Sequence, residues 1–182
     1  MAVTADHIFA TLTDYLDRHP EEKPALAPAL DLLEAGTDLT SRKEFRGHAT
    51  AGAVLVGPGG DVLYVHHVAT GKWLLPGGHL EAVDRTLAEA AGRELAEETG
   101  IPADALALVV DVPLHIDVHP FPADPAKGEP DHQHIDFRYL FRTTAEPGAL
   151  QAEEVAGAEW RPVSTLHDDR LRQRVREAVG SM

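Results

Sequence analysis

At 182 residues, with 43% hydrophobic and 25% charged residues, the chain has the composition of a soluble globular domain able to bury a sizeable core. Thirty acidic residues against sixteen basic ones give a formal charge of −14, which argues against a nucleic-acid or anionic-membrane binder. The absence of cysteine excludes disulfides, thiolate metal sites and cysteine nucleophiles.

The opening "MAVTADHIFATLTDYLDRH" has no basic segment followed by an apolar run, and nothing approaches the roughly 20 apolar residues that span a bilayer, so a cytoplasmic protein is expected. Residues 4–18 predict an amphipathic helix, with Ile8, Leu12, Tyr15 and Leu16 on one face. His19-Pro20 ends it, and "PALAPALDLLEAG" predicts a second short helix closing at Gly36. Residues 1–48 therefore form an N-terminal helical extension ahead of a main domain at 49–182. The extension is either a packing appendage or a surface for a homodimer.

From Ala49 the pattern turns to strands. "TAGAVLVG" and "DVLYVHHV" predict two strands joined by the Gly-Pro-Gly-Gly turn at 57–60. "KWLLP" is a short strand running into a "PGGH" turn, and a helix follows over about Thr86 to Glu98. Thr86 with Glu89 makes a capping box, and Gly100 stands where a helix-ending glycine belongs. In "PLHIDVH" and "HIDFRYLF", apolar residues alternate with His115, Asp117, His119 and with His134, Asp136, Arg138. The Pro-rich segment "PFPADPAKGEPDHQ" between them reads as a long functional loop. A last strand and turn in "AEWRPVSTL" and a helix in "DDRLRQRVREAVG" complete the chain.

The segment "RELAEETGI" crowds Glu94, Glu97 and Glu98 onto one side of the helix, beside the apolar stripe of Leu87, Ala91 and Leu95. A solvated acidic face is the plain explanation. A hard-cation site is the other, since Mg²⁺ or Mn²⁺ takes oxygen ligands and bridges carboxylates to phosphates. The glutamates sit in the C-terminal half of the helix, where the macrodipole disfavours anions, so helix stability does not explain them. Residues 77–101, "GGHLEAVDRTLAEAAGRELAEETGI", resemble the signature of the Nudix hydrolases, G-x5-E-x7-R-E-U-x-E-E-x-G-U with U a bulky aliphatic. Arg93, Glu94, Leu95, Glu97, Glu98, Gly100 and Ile101 match position by position. The loop before the helix is one residue longer, and the first Glu of the signature falls on Arg85, which leaves Asp84 or Glu81 to replace it.

The resemblance implies an α/β/α sandwich (α+β) around a central mixed sheet, extended by the N-terminal helices. It implies Mg²⁺ or Mn²⁺ held by Glu94, Glu97 and Glu98 with the Gly77 carbonyl, and Arg93 orienting the glutamates. Glu94 or Glu98 would serve as general base, with Glu129 and Asp131 of the long loop as alternatives. The implied activity is metal-dependent hydrolysis of the diphosphate in a nucleoside diphosphate linked to another moiety. A catalytically silent nucleotide-binding or regulatory domain is the alternative. Candidate substrate contacts are Trp73, His79, Glu81, His115, His119, Glu129, His132, His134 and Arg138. The histidines among them are structural, or bind phosphate or ribose, or hold a transition metal with neighbouring carboxylates.

Overall fold

The computed structural model describes residues 2–123, 125 and 128–180. Four helices and eight strands carry it. The helices are α1 (Ala5–Arg18), α2 (Lys23–Glu34), α3 (Leu87–Thr99) and α4 (Asp169–Gly180). The strands are β1 (His48–Val56), β2 (Val62–His67), β3 (Lys72–Leu74), β4 (Gly77–His79), β5 (Ala107–Leu108), β6 (His115–Phe121), β7 (His132–Arg142) and β8 (Val155–Arg161).

β1 and β7 pair in parallel at the centre of one mixed sheet, and the remaining pairings are antiparallel. The outer edge of β1 is shared by β4, which pairs with Thr50 to Gly52, and β2, which joins at Val56. β7 likewise shares its outer edge between β6 and β5. Every residue of β1 is buried, which fits its run of small and apolar side chains covered on both faces.

On one face, Ala49, Ala51, Ala53 and Leu55 of β1 join Ile135, Phe137, Tyr139 and Phe141 of β7 in a core with Leu87, Ala91 and Leu95 of α3. The alanines on both sides let helix and sheet approach closely. Ile8, Leu12 and Tyr15 of α1 and Leu26 and Ala29 of α2 belong to the same core. The two N-terminal helices are thus packed into the main body, and β1 itself begins at His48. Tyr15 donates to Glu22 at 2.8 Å, and Arg174 of α4 reaches both, tying the N-terminal helices to the last one. Glu22 is only 1% exposed, so this ion pair is a buried one, satisfied by its partners.

On the other face, Leu171 and Val175 of α4 cover Val54, Val56, Val62, Tyr64 and Leu140. The expected α/β/α sandwich forms. Further along this same face β1 and β7 present His48, Thr50, His134, Asp136 and Arg138, and the apolar cover of α4 does not reach them.

Two local differences from the sequence reading have simple causes. The long loop is shorter than expected, because pairing continues through Pro120↔Gln133 and Phe121↔His132. β6 is an edge strand, so the missing N–H of Pro120 breaks no ladder bond. The capping box of α3 forms by half. Thr86 Oγ1 accepts from Glu89 N at 3.1 Å, but the Glu89 carboxylate accepts from the backbone and guanidinium of Arg85 instead of the Thr86 amide. Gly100 ends α3 in the left-handed region at φ 66°.

Candidate active site

The short strand β4 pairs beside β1 and packs against α3, and the two glycines at its start allow this close approach. A Cβ on Gly78 would stand 2.6 Å from the Glu94 carboxyl carbon, so only glycine lets that side chain lie against the strand. A Cβ on Gly77 would meet the β1 backbone at Gly52 at 2.7 Å. The Gly77 amide donates to Glu98 Oε2 at 3.0 Å, anchoring the second carboxylate to the same turn.

The glutamate stripe is unevenly buried. Glu98 is 2% exposed, Glu94 is half-buried, and Glu97 is exposed at the rim. Burial pushes the Glu94 carboxyl up to about 7, with the charges of Glu97 and Glu154 adding to it. Burial likewise pushes Glu98 up to about 8, with Glu94, Glu154 and Glu97 contributing. Arg93 only partly offsets this for Glu94. Two converging oxygen donors that resist ionisation for want of positive charge are a fitting cradle for a hard divalent cation.

Arg93 uses all its nitrogens inside the protein. It donates to Glu94 and Glu97 at 3.0 Å each, to the His79 carbonyl at 2.9 Å, and through Nε and a terminal nitrogen to both oxygens of Asp84. Asp84 is 3% exposed and also accepts from the Glu81 amide at 2.7 Å. Of the two acidic residues of the longer loop, Asp84 is the one that braces Arg93. Glu81 points largely to solvent, 4.0 Å from Arg93.

The opposite face of β4 carries a different chemistry. Gly78 faces α3, so His79 faces away from it, toward Thr50 on the neighbouring strand. There the rings of His48, His79, His119, His132 and His134 gather. His134 sits amid the others, with centroids 4.9 Å from His48, 5.4 Å from His79, 5.7 Å from His119 and 5.0 Å from His132. Phe121 stacks on His134 at 4.4 Å.

His115 and Arg138 share the polar face of β6 and β7 but lie outside this group. His115 is buried 3.5 Å from Asp168, at the start of α4, and 3.5 Å from Arg138. Arg138 is engaged by Asp136 at 2.8 Å and Asp117 at 3.3 Å. Both belong to an ion-pair network along β6 and β7, because their register sets them beyond the cluster. Glu129 pairs with Arg42 at 2.8 Å, and Asp131 accepts from the Ala123 amide. Trp73 lies apart on β3, under the Arg161 guanidinium at 4.3 Å and beside His66.

Two groups escaped the sequence reading. His48, at the first residue of β1, had no apolar alternation to mark it. Glu154, exposed before β8, lies near enough to raise both buried glutamates, and nothing local in its sequence signals that.

The NUDIX domain family profile matches residues 46–179. A probable DHNTP pyrophosphohydrolase of Lactococcus lactis is 34% identical over 135 residues, covering 71% of this chain and 75% of that protein. Phosphatase NudJ of Escherichia coli K12 is 52% identical over 61 residues, which span 32% of this chain and only 39% of NudJ. Among solved structures, a Caenorhabditis elegans Ap4A hydrolase aligns with TM-score 0.56 at 18% identity, over 74% of this chain and 98% of that one. A MutT NUDIX hydrolase of Burkholderia pseudomallei aligns with TM-score 0.50 at 23% identity, over 71% and 96%. These two establish likeness of fold.

Proposed function

Because the chain belongs to the Nudix hydrolases and is a pyrophosphohydrolase of that family, we propose that it uses Mg²⁺ or Mn²⁺ to split the diphosphate of a nucleoside diphosphate joined to another moiety. The supporting observation is the half-buried Glu94, braced by Arg93, beside the buried Glu98, held by the Gly77 amide. Glu94, Glu97 and Glu98, with the Gly77 carbonyl, would hold the ion. When bound, such an ion neutralises the diphosphate and makes a water nucleophilic near neutral pH.

The chain's own part is positional. The Gly77 amide fixes one Glu98 oxygen. Arg93 fixes Glu94 and Glu97 relative to each other, and Asp84 fixes Arg93. This holds the carboxylates ready before substrate arrives. Glu94 and Glu98 remain the candidate bases, and Glu154 joins them as a carboxylate on a separate loop. Tolerance of a phosphorylated substrate by a protein of charge −14 follows from the cation.

The test is a phosphate-release screen over nucleoside diphosphate derivatives with Mg²⁺ and Mn²⁺. Dihydroneopterin triphosphate is included because the Lactococcus relative carries that name. We expect metal-dependent turnover with at least one substrate, reduced roughly 10²–10⁴-fold in Glu98→Gln. Inactivity on every compound, with tight binding of one, would instead mean a silent binding domain.

A further inference from the structure

We propose a second metal site, separate from the glutamates, in which His48, His79 and His134 bind a borderline transition-metal ion such as Zn²⁺, on the face of the sheet opposite α3. One ring nitrogen from each of the three lies within 4.8 Å of the others. Three nitrogens at about 2.0–2.1 Å from one tetrahedral ion are separated by roughly 3.4 Å, so small ring rotations close the set.

The stronger observation is how the rings are held. His48 is 1% exposed, and its Nδ1 lies 3.2 Å from the Glu44 carbonyl, to which it can only donate. That leaves Nε2 as a bare lone pair, and this buried nitrogen finds no hydrogen-bond partner among the described residues. An orphaned buried acceptor is costly unless something fills its direction. His132 is anchored in the same way through Nδ1 only. Its Nδ1 donates to the Pro130 carbonyl at 2.7 Å, and its Nε2 points at His134 Nε2, 3.1 Å away. His119 donates through Nδ1 to Asp117 at 3.0 Å. Metal-ligating histidines characteristically spend their other N–H on a carbonyl or carboxylate in this way. His132 lies beside this set, against His134, without belonging to it.

The donors also fit the ion. An all-imidazole set suits Zn²⁺, Co²⁺ or Ni²⁺ and is a poor site for Mg²⁺. The other close grouping, His19, Glu21 and Glu22, is served by Arg174, which bonds to Glu22. The histidine set draws on three strands, β1, β4 and β7, so an ion there clamps β4 to the sheet centre. His79 is the link between the two chemistries, since its carbonyl carries Arg93 while its ring turns to the cluster.

The full chain, stripped with a chelator, is titrated with Zn²⁺, Co²⁺ and Mg²⁺ by calorimetry, and the Co²⁺ complex is followed by its visible spectrum. Wild type is compared with Glu94→Gln/Glu98→Gln, His48→Asn and His79→Asn, with folding checked by circular dichroism. We expect one Zn²⁺ or Co²⁺ with an imidazole-type spectrum, retained in the double glutamine variant and weakened roughly 100-fold or more in the histidine variants. His79 is only half-buried, so His79→Asn carries the test if His48→Asn does not fold. Absence of Zn²⁺ binding, or binding lost in the glutamine variant and unchanged in His79→Asn, overturns the proposal. Because no arm reads activity, its failure is distinct from failure of the hydrolase assignment.

Discussion

Glu98 is the residue where burial and charge conflict most. Its carboxyl is raised to about 8 from an ordinary value near 4.5, so between those pH values the folded state holds a proton that the unfolded chain has released. Without metal, the stability it confers is therefore present below about pH 4.5 and lost as pH rises toward 8. That is the reverse of a carboxylate held by a salt bridge. Thermal unfolding in chelator between pH 5.5 and 8.5 should show the decline, and Glu98→Gln should flatten it. Mg²⁺ should raise the melting temperature more at pH 8 than at pH 5.5, since it replaces the proton. A melting temperature that rises with pH in chelator would count against a buried, cation-free carboxyl.

At the scale of elements, β4 is the decisive piece and the least legible one. Three residues with two glycines carry no alternation, so "PGGH" reads as a turn, although it is a strand pairing with β1. The helix after it was legible to within a residue, because Thr86, Glu89 and Gly100 mark its ends and the glutamate spacing marks its face. The histidines were legible as a group only along β6 and β7. Nothing in the sequence says that β1 lies parallel to β7, and without that register His48 has no reason to meet His134. Nor does the sequence say that His115 lies against Asp168 and Arg138. Gly78→Ala probes the strand directly. Its methyl would collide with the tip of the flexible Glu94 side chain, not with backbone, so the fold should survive with a small change in melting temperature. Turnover should fall at least tenfold as Glu94 is displaced, on the general sensitivity of rate to roughly 1 Å misplacement. Steady-state kinetics beside a melting curve separate the two effects.

For the whole molecule, the N-terminal helices behave as core. Leu12 is 0% exposed and shares a cluster with Leu95 of α3 and Phe137 of β7. Leu12→Ala should cost about 2–5 kcal/mol, read by urea unfolding as a single shifted transition. A separate early transition in that curve would show the helices to be an independent appendage, as sequence alone allowed. Among the described residues no helix is long and apolar enough to cross a membrane, consistent with cores that face inward on both sides of the sheet.

The parallel pair of β1 and β7 also has a kinetic consequence. His48 to Val56 meet His134 to Arg142 in nine successive contacts, each closing a loop of 86 residues. The helix α3 and the short strand β4 lie within that loop and can form from near neighbours. The histidine cluster and the Thr50–Asp136 contact cannot, since they exist only after the ends meet. Loop-closure entropy must be overcome before such contacts return anything, so topology makes the sheet centre the slow step. The chain thus assembles its glutamate helix by local chemistry and its histidine face by long-range closure, and the second arrives last.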